Sequence, residues 1–332
     1  MNKELMGALD ELEREKNISK ETLLDAIEQS LIQAYKNHFG KADNVHVTIN
    51  RETGDFSVYA DRRVVEYVED PAEEVSLVEA QKQNTNAEVG DILKVPVHSD
   101  KFGRIATQNA KNVILQKIRE EERKVLFDQY HGNEKEVVTG IVQRVVGHNV
   151  SVNLGKADAI LAENEQVKGE TFKPTERIKV YILEVKDTPK GPRILVSRTH
   201  PGLVKRLFES EVAEVKDGTV EIKSIAREAG SRTKLAVWSN DPDVDPVGAC
   251  VGVNGARVSA IVNELRGEKI DIINWDENPA ILIENALSPA KVIAVMADPD
   301  EKTALVVVPD YQLSLAIGKE GQNARLAARP VS

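Results

Sequence analysis

One cysteine, Cys250, stands in the whole chain, so neither an internal disulfide nor a cysteine-rich metal site can form. Aromatic residues are sparse, at 4%. Apolar runs such as Ala304 to Pro309 fall far short of the roughly 20 residues that a membrane helix needs. The opening MNKELMGALDELEREK alternates charge and lacks the apolar core of a secretory signal. Together these absences point to a reducing cytoplasm and no membrane.

Catalytic signatures are missing too. The histidines (His38, His46, His98, His131, His148 and His200) show no paired metal-ligand spacing, and no H-E-x-x-H, P-loop or G-x-S-x-G occurs. Gly248, Gly252 and Gly255 do not make a dinucleotide fingerprint. Asp241, Asp243 and Asp245 alternate in DPDVDP, but the prolines and the lack of an EF-hand Gly and Glu favour a rigid acidic loop. Cys250 shares an apolar helix face with Val247 and Val251 and is expected to be a buried small hydrophobe. No enzyme, cofactor or metal is expected.

What is present is a 332-residue globular composition, 41% hydrophobic and 30% charged, long enough for two to four domains. The net charge of −10 is uneven: residues 1–130 carry −7, residues 131–200 carry +2 and residues 201–332 carry −5. Contact with phosphate depends on local cations, so single-stranded RNA survives this test, whereas a general affinity for duplex DNA does not.

Residues 1–130 read as an acidic α+β domain. Leu24, Ile27, Leu31, Ala34 and Tyr35 make one face of a helix over 18–39 that Gly40 stops. Val45, Val47 and Ile49, a turn at Arg51-Glu52-Thr53-Gly54, then Phe56 and Val58 make a hairpin. A charged helix follows from about Arg104 to Tyr130. Residues 135–200 hold short Val- and Ile-rich strands (VVTGIVQRVV, NVSVNL, RIKVYILEV, PRILVS), four or five in number, which suggests an OB-type barrel. Such barrels bind single strands with basic and aromatic groups. Arg144, His148 and Lys156 are the candidates here, while the sparse aromatics His148, Phe172 and Tyr181 are read as core or surface residues first.

The last third repeats itself. Gly252-Val253-Asn254-Gly255 and Gly318-Lys319-Glu320-Gly321 lie 66 residues apart, and the apolar positions Val247, Cys250 and Val251 recur as Leu313, Ala316 and Ile317. Each unit reads helix, G-x-x-G, helix, preceded by strand-like runs. Tight glycine turns let backbone amides approach a nucleic-acid backbone, and the helix that follows turns its N-terminus to phosphate. That is the KH clamp, which holds about four nucleotides. The candidate RNA ligands are Gly252, Val253, Asn254, Gly255 and Arg257 in the first unit, and Gly318, Lys319, Glu320, Gly321 and Arg325 in the second. The first unit (201–278) runs helix Leu203–Val215, strands Thr219–Ile225 and Thr233–Trp238, two helices, then strand Lys269–Ile273. That is the α-β-β-α-α-β order of the prokaryotic, type II KH form. The second (279–332) reaches Ser332 without room for its last strand, and is expected to be the less stable module.

The blocks SRTHPGLVKRLFE, VEIKSIAREAGSRTK, DPDVDPVGACVG, IVNELRGEKIDII, NALSPAKV and VVPDYQLSLAIGKEGQNARLAA, with ISKETLLDAIEQSLIQAYK and the RETG hairpin near the front, resemble the bacterial NusA family of transcription elongation, termination and antitermination factors. The likeness spans essentially the whole chain. It implies that residues 1–130 dock on core RNA polymerase, that the barrel is of the ribosomal S-one-repeat kind, and that barrel and KH modules guide nascent single-stranded RNA alongside other elongation and antitermination factors. The first clamp departs from the family in lacking a basic residue at Asn254. An exoribonuclease would need a large catalytic core that residues 1–130 cannot supply. An RNA-binding translation or RNA-decay accessory protein without polymerase contact stays open on the residues alone.

Overall fold

The computed structural model describes residues 2–16, 18–39, 44–53, 55–96 and 100–329, in two compact units that divide between Val125 and Leu126. The stop expected at Gly40, the turn residue Gly54, Ser332 and the side chains of Tyr35 and Phe56 lie outside the described residues.

The first unit opens with helices α1 (Asn2–Lys16) and α2 (Lys20–Phe39), then strands β1 (Val45–Ile49) and β2 (Phe56–Val65). Strand β3 (Glu74–Ser76), helix α3 (Leu77–Gln83), strand β4 (Ile92–Pro96) and the long helix α4 (Asp100–His131) follow. Strand β2 organises the sheet: it pairs antiparallel with β1 and β4 and parallel with β3. The expected helix face is buried, with Leu24, Ile27, Leu31 and Ala34 packed against Val45, Ile49 and Val58. Helix α1 was not foreseen. Met6 and Leu9 are buried in this core and Leu12 packs against it, from a run that is otherwise largely charged, so the helical period stands out weakly.

In the second unit the barrel closes in the order β5-β6-β7-β9-β8, from β5 (Val137–Val146), β6 (Asn149–Asn153), β7 (Asp158–Leu161), β8 (Arg177–Lys186) and β9 (Arg193–Ser197). Inward residues alternate along the strands, Val150 and Val152, Ala159 and Leu161, Ile178, Val180 and Ile182, Ile194 and Val196. Leu126, Phe127 and Tyr130 at the end of α4 join that core, and the Tyr130 hydroxyl donates to the Leu154 carbonyl at 3.0 Å.

The first KH module comprises α5 (Pro201–Glu211), α6 (Ala213–Lys216), β10 (Val220–Glu228), β11 (Arg232–Ser239), α7 (Pro246–Val251), α8 (Ala256–Glu264) and β12 (Lys269–Asn274). Its sheet runs β10-β11-β12, antiparallel then parallel, with helix-side residues Leu235 and Val237 against Leu203, Leu207, Phe208, Cys250 and Ile261. The single helix expected over Leu203–Val215 is two. Val212 is extended (φ −118°, ψ 107°) and fully buried, so one β-branched side chain anchors a corner in the core. The second module adds α9 (Pro279–Ala286), β13 (Ala294–Asp298), β14 (Thr303–Val307), α10 (Asp310–Ile317) and α11 (Gln322–Ala328). Its sheet has two strands among the described residues.

Buried ion pairs tie the barrel to the first KH module and brace that module internally. Arg198, 1% exposed, donates twice to Glu170 at 2.7 Å, to the Lys179 carbonyl at 2.8 Å and to the Glu264 carbonyl at 3.1 Å, joining three segments. Arg227 donates to both oxygens of Glu268, at 2.8 and 2.9 Å, which also accept from Thr233 Oγ1 and the Gly230 amide. Removing one partner of such a pair costs about 3–5 kcal/mol, because the other charge stays buried.

Candidate nucleic-acid interface

The two G-x-x-G loops have the same backbone. The first glycine sits at φ 74°, ψ 173° in Gly252 and φ 75°, ψ 171° in Gly318. That region is essentially closed to other residues. The third position is left-handed, at φ 51°, ψ 27° in Asn254 and φ 53°, ψ 27° in Glu320. The last glycine is left-handed as well, at φ 74° in Gly255 and φ 75° in Gly321, and α8 or α11 starts at the next residue.

Space separates the roles of these glycines. A Cβ on Gly252 would lie 2.7 Å from Arg257 Cγ, and one on Gly318 would lie 2.8 Å from Asn323 Cβ and from its backbone nitrogen. The last glycines face open ground; a Cβ on Gly321 would meet nothing nearer than Arg325 Nη1, at 3.5 Å. The first glycine of each loop therefore lets two helices close on each other, and the last serves the turn. Between them Val253, Asn254, Lys319 and Glu320 point into solvent, Val253 with 84% of its surface exposed. A strand crossing these tips meets amides, one cation at Lys319 and one anion at Glu320.

The expected arginine ligands have internal partners. Arg257 Nη1 donates to Glu214 Oε2 at 2.9 Å and to the Ala249 carbonyl at 2.7 Å. Arg325 pairs with Glu228 and donates from Nη1 to the Glu320 carbonyl at 2.6 Å. Glu214 and Glu228 lie 43 and 97 residues away along the chain, and nothing in the local pattern announces them.

On the barrel, Arg144 is exposed beside a bulge in β5, and His148 is exposed in the β5–β6 turn with Nδ1 3.6 Å from Glu163 Oε1. Lys156 lies past the other end of β6, its Nζ 3.5 Å from Gln129 Oε1. Strand β6 thus separates His148 from Lys156, and the fold does not bring all three barrel candidates together. Tyr181 is buried and stacks on His200 with ring centroids 4.7 Å apart; Phe172 is covered by the Arg266 guanidinium at 5.1 Å. Burial holds the His200 imidazole below the usual histidine range. Neither of these aromatics offers a free face for a base.

The acidic loop is a helix cap. Asp241 Oδ1 accepts from the Asp243 amide at 2.9 Å, and Asp245 Oδ1 from the Val247 amide at 3.1 Å at the start of α7. No group of three His, Cys, Asp or Glu residues that could hold a metal occurs among the described residues. Among these residues, too, no helix is long and apolar enough to cross a membrane. Cys250 is fully buried, which pushes its thiol up to about 11.

Four family models match in succession: the NusA N-terminal domain over residues 4–124, the S1 RNA binding domain over 132–197, the NusA-like first KH domain over 198–275 and the NusA-like second KH domain over 279–332. The transcription termination/antitermination protein NusA of Bacillus subtilis is 56% identical over 99% of this chain and 89% of its own length. That of Halalkalibacterium halodurans is 54% identical, over 99% and 86%, and that of Thermus thermophilus 42%, over 99% and 88%. With its barrel, its paired clamps and relatives of this identity along its whole length, the chain belongs to the NusA family.

Proposed function

We propose that this chain is a cytoplasmic, non-catalytic transcription factor. It binds core RNA polymerase through residues 1–130 and holds nascent single-stranded RNA on its barrel and two clamps. By doing so it modulates pausing, termination and antitermination, in company with other elongation and antitermination factors. The observation that carries the RNA part is the shared backbone of the two G-x-x-G loops, both with exposed tips, in one compact unit with the barrel. The match of residues 4–124 to the NusA N-terminal domain, together with the −7 charge of residues 1–130, supports the polymerase part.

The deciding experiment uses the whole chain with core polymerase on a sizing column, in the presence and absence of RNA. Photo-crosslinkers are placed at Glu52 in the first unit and at Asn254 and Lys319 in the clamps. Glu52 crosslinks to polymerase with or without RNA, and the two tips crosslink to RNA. Polymerase captured only when RNA is present would favour an RNA-binding protein of translation or decay.

A further inference from the structure

Arg325 stands one turn after the second clamp, where its position alone suggests a phosphate ligand. Its contacts give it another task. Nε donates to Glu228 Oε1 at 2.9 Å, Nη2 to Oε2 at 3.3 Å, and Nη1 to the carbonyl of Glu320 at 2.6 Å. Glu228 closes β10 in the first KH module, and Glu320 is the tip of the second clamp. One guanidinium thus ties the tip of one clamp to the sheet of the other module.

The surroundings hold both ends. Gln322 donates to Glu228 Oε2 at 2.9 Å and to Ser231 Oγ at 2.7 Å. On the far side of the same turn, Glu268 takes Arg227 and the Gly230 amide. Beneath, Ala236 and Ile273 of the first module pack with Leu282, Ala286, Leu287 and Ala327 of the second. The matching residue after the first clamp is Ser259, too short for such a reach. The tie is therefore one-sided.

We propose that the Glu228–Arg325 pair is a spacing latch that fixes the distance between the two clamp tips, and with it the length of single-stranded RNA that both can hold at once. This rests on the clamp reading given under Proposed function. Two linked sites gain avidity only where their geometry lets both engage, and pre-set geometry removes the cost of ordering them. Arg325 is then a positioning residue. Glu228, an acidic group near the RNA, helps binding despite its charge.

The test is Glu228→Ala, with Arg325→Ala beside it, measured by fluorescence anisotropy on RNAs of about four nucleotides, one clamp's worth, and in steps to about twelve. The latch predicts that Glu228→Ala binds four-nucleotide RNA like the wild type. On the longest RNA both variants bind about tenfold more weakly, a partial loss of the roughly hundredfold or greater avidity that two linked sites can gain. If Arg325 is itself a phosphate ligand, Glu228→Ala frees it and strengthens binding at every length; that result overturns the latch. Should Glu228→Ala unfold, as thermal melting would show, Glu228→Gln gives the same contrast more mildly, and unchanged or tighter binding of long RNA by it again overturns the latch. Wild-type affinity that does not rise from four to twelve nucleotides sinks the latch alone. No binding at any length sinks the clamp reading and the latch with it.

Discussion

Arg257 and Asn323 occupy the same position after the two clamp loops, and both turn back to the carbonyls that end the preceding helix. Arg257 Nη1 reaches the Ala249 carbonyl at 2.7 Å; Asn323 Nδ2 reaches those of Leu315 and Ala316 at 3.3 and 3.2 Å. A long charged side chain and a short amide thus close the same corner. Asn323 also donates to the Leu287 carbonyl at 3.0 Å, while its Oδ1 is buried without a partner.

That corner makes the first glycine of each loop irreplaceable. Gly318→Ala forces a methyl to 2.8 Å from the Asn323 backbone nitrogen, at a φ/ψ only glycine adopts. The expected cost is about 3 kcal/mol, with strain alone accounting for 1–3. Gly321→Ala meets open space and pays only the left-handed penalty, roughly 1–2 kcal/mol. Urea titrations of the two variants should show this order, and equal losses would mean that the loop relaxes around the methyl.

The third loop position weighs charge against backbone. Asparagine tolerates the left-handed region better than glutamate or lysine. Glu320→Asn should therefore raise stability slightly and strengthen RNA binding, since an anion leaves the tip. Asn254→Lys should give up about 1 kcal/mol of backbone preference. In return it steepens the salt dependence of RNA binding by about 0.7 in log–log slope, with base preference unchanged. Salt titrations on two unrelated RNAs measure both quantities. A slope identical to wild type would show that the first tip does not touch the RNA backbone.

Acid should act through Glu268. Burial pushes its carboxyl up, but the Arg227 guanidinium, the Thr233 hydroxyl and the Gly230 amide outweigh that and hold it below the ordinary value of 4.5. A carboxyl depressed in the folded state contributes stability above 4.5 that is lost as pH falls through the folded value. Stability from this group should stay level from pH 7 to about pH 5 and decline below 4.5. Glu268→Gln should flatten the acid limb and cost about 3 kcal/mol at pH 7, as Arg227 loses its counter-charge. Denaturant midpoints across pH 3–7 would reveal an unaltered acid limb if Glu268 were not the sensor.

Cys250 should be inert. With no exposed surface and a thiol pushed up to about 11, it holds almost no thiolate at pH 8. A disulfide reagent should release no colour from the native protein and one equivalent after denaturation in guanidinium. Rapid labelling of the native protein would mean that α7 opens readily.

Much of this architecture was legible along the chain wherever side-chain period and burial agree. Helix α2 shows itself through Leu24, Ile27 and Leu31, and four barrel strands through alternation. Strand β7 escaped because only four residues, Asp158–Leu161, carry it. Helix α9 escaped because it is short and its exposed face mixes Ile281 with Glu284, while Leu282 and Ala286 are buried, which blurs the period. The clamp tips were legible from glycine spacing, since the backbone there demands glycine. The fate of Arg257 and Arg325 was not, because whether a cation faces RNA or a carboxylate depends on distant residues. The same limit left Lys156 and His148 grouped as barrel candidates, while the fold puts Lys156 beyond the other end of β6.

The passage from barrel to first KH module has a mechanical consequence. Only Arg198, Thr199 and His200 lie between the end of β9 at Ser197 and the start of α5 at Pro201. Arg198 is spent on Glu170, Thr199 on Ser197 and Glu165, and His200 on the Tyr181 ring. A joint with every side chain engaged has no slack. On the proposed reading, in which an RNA strand is gripped at the first clamp, tension on that strand would reach the barrel as torque rather than be absorbed as bending, and this half of the molecule would act as a stiff lever under load.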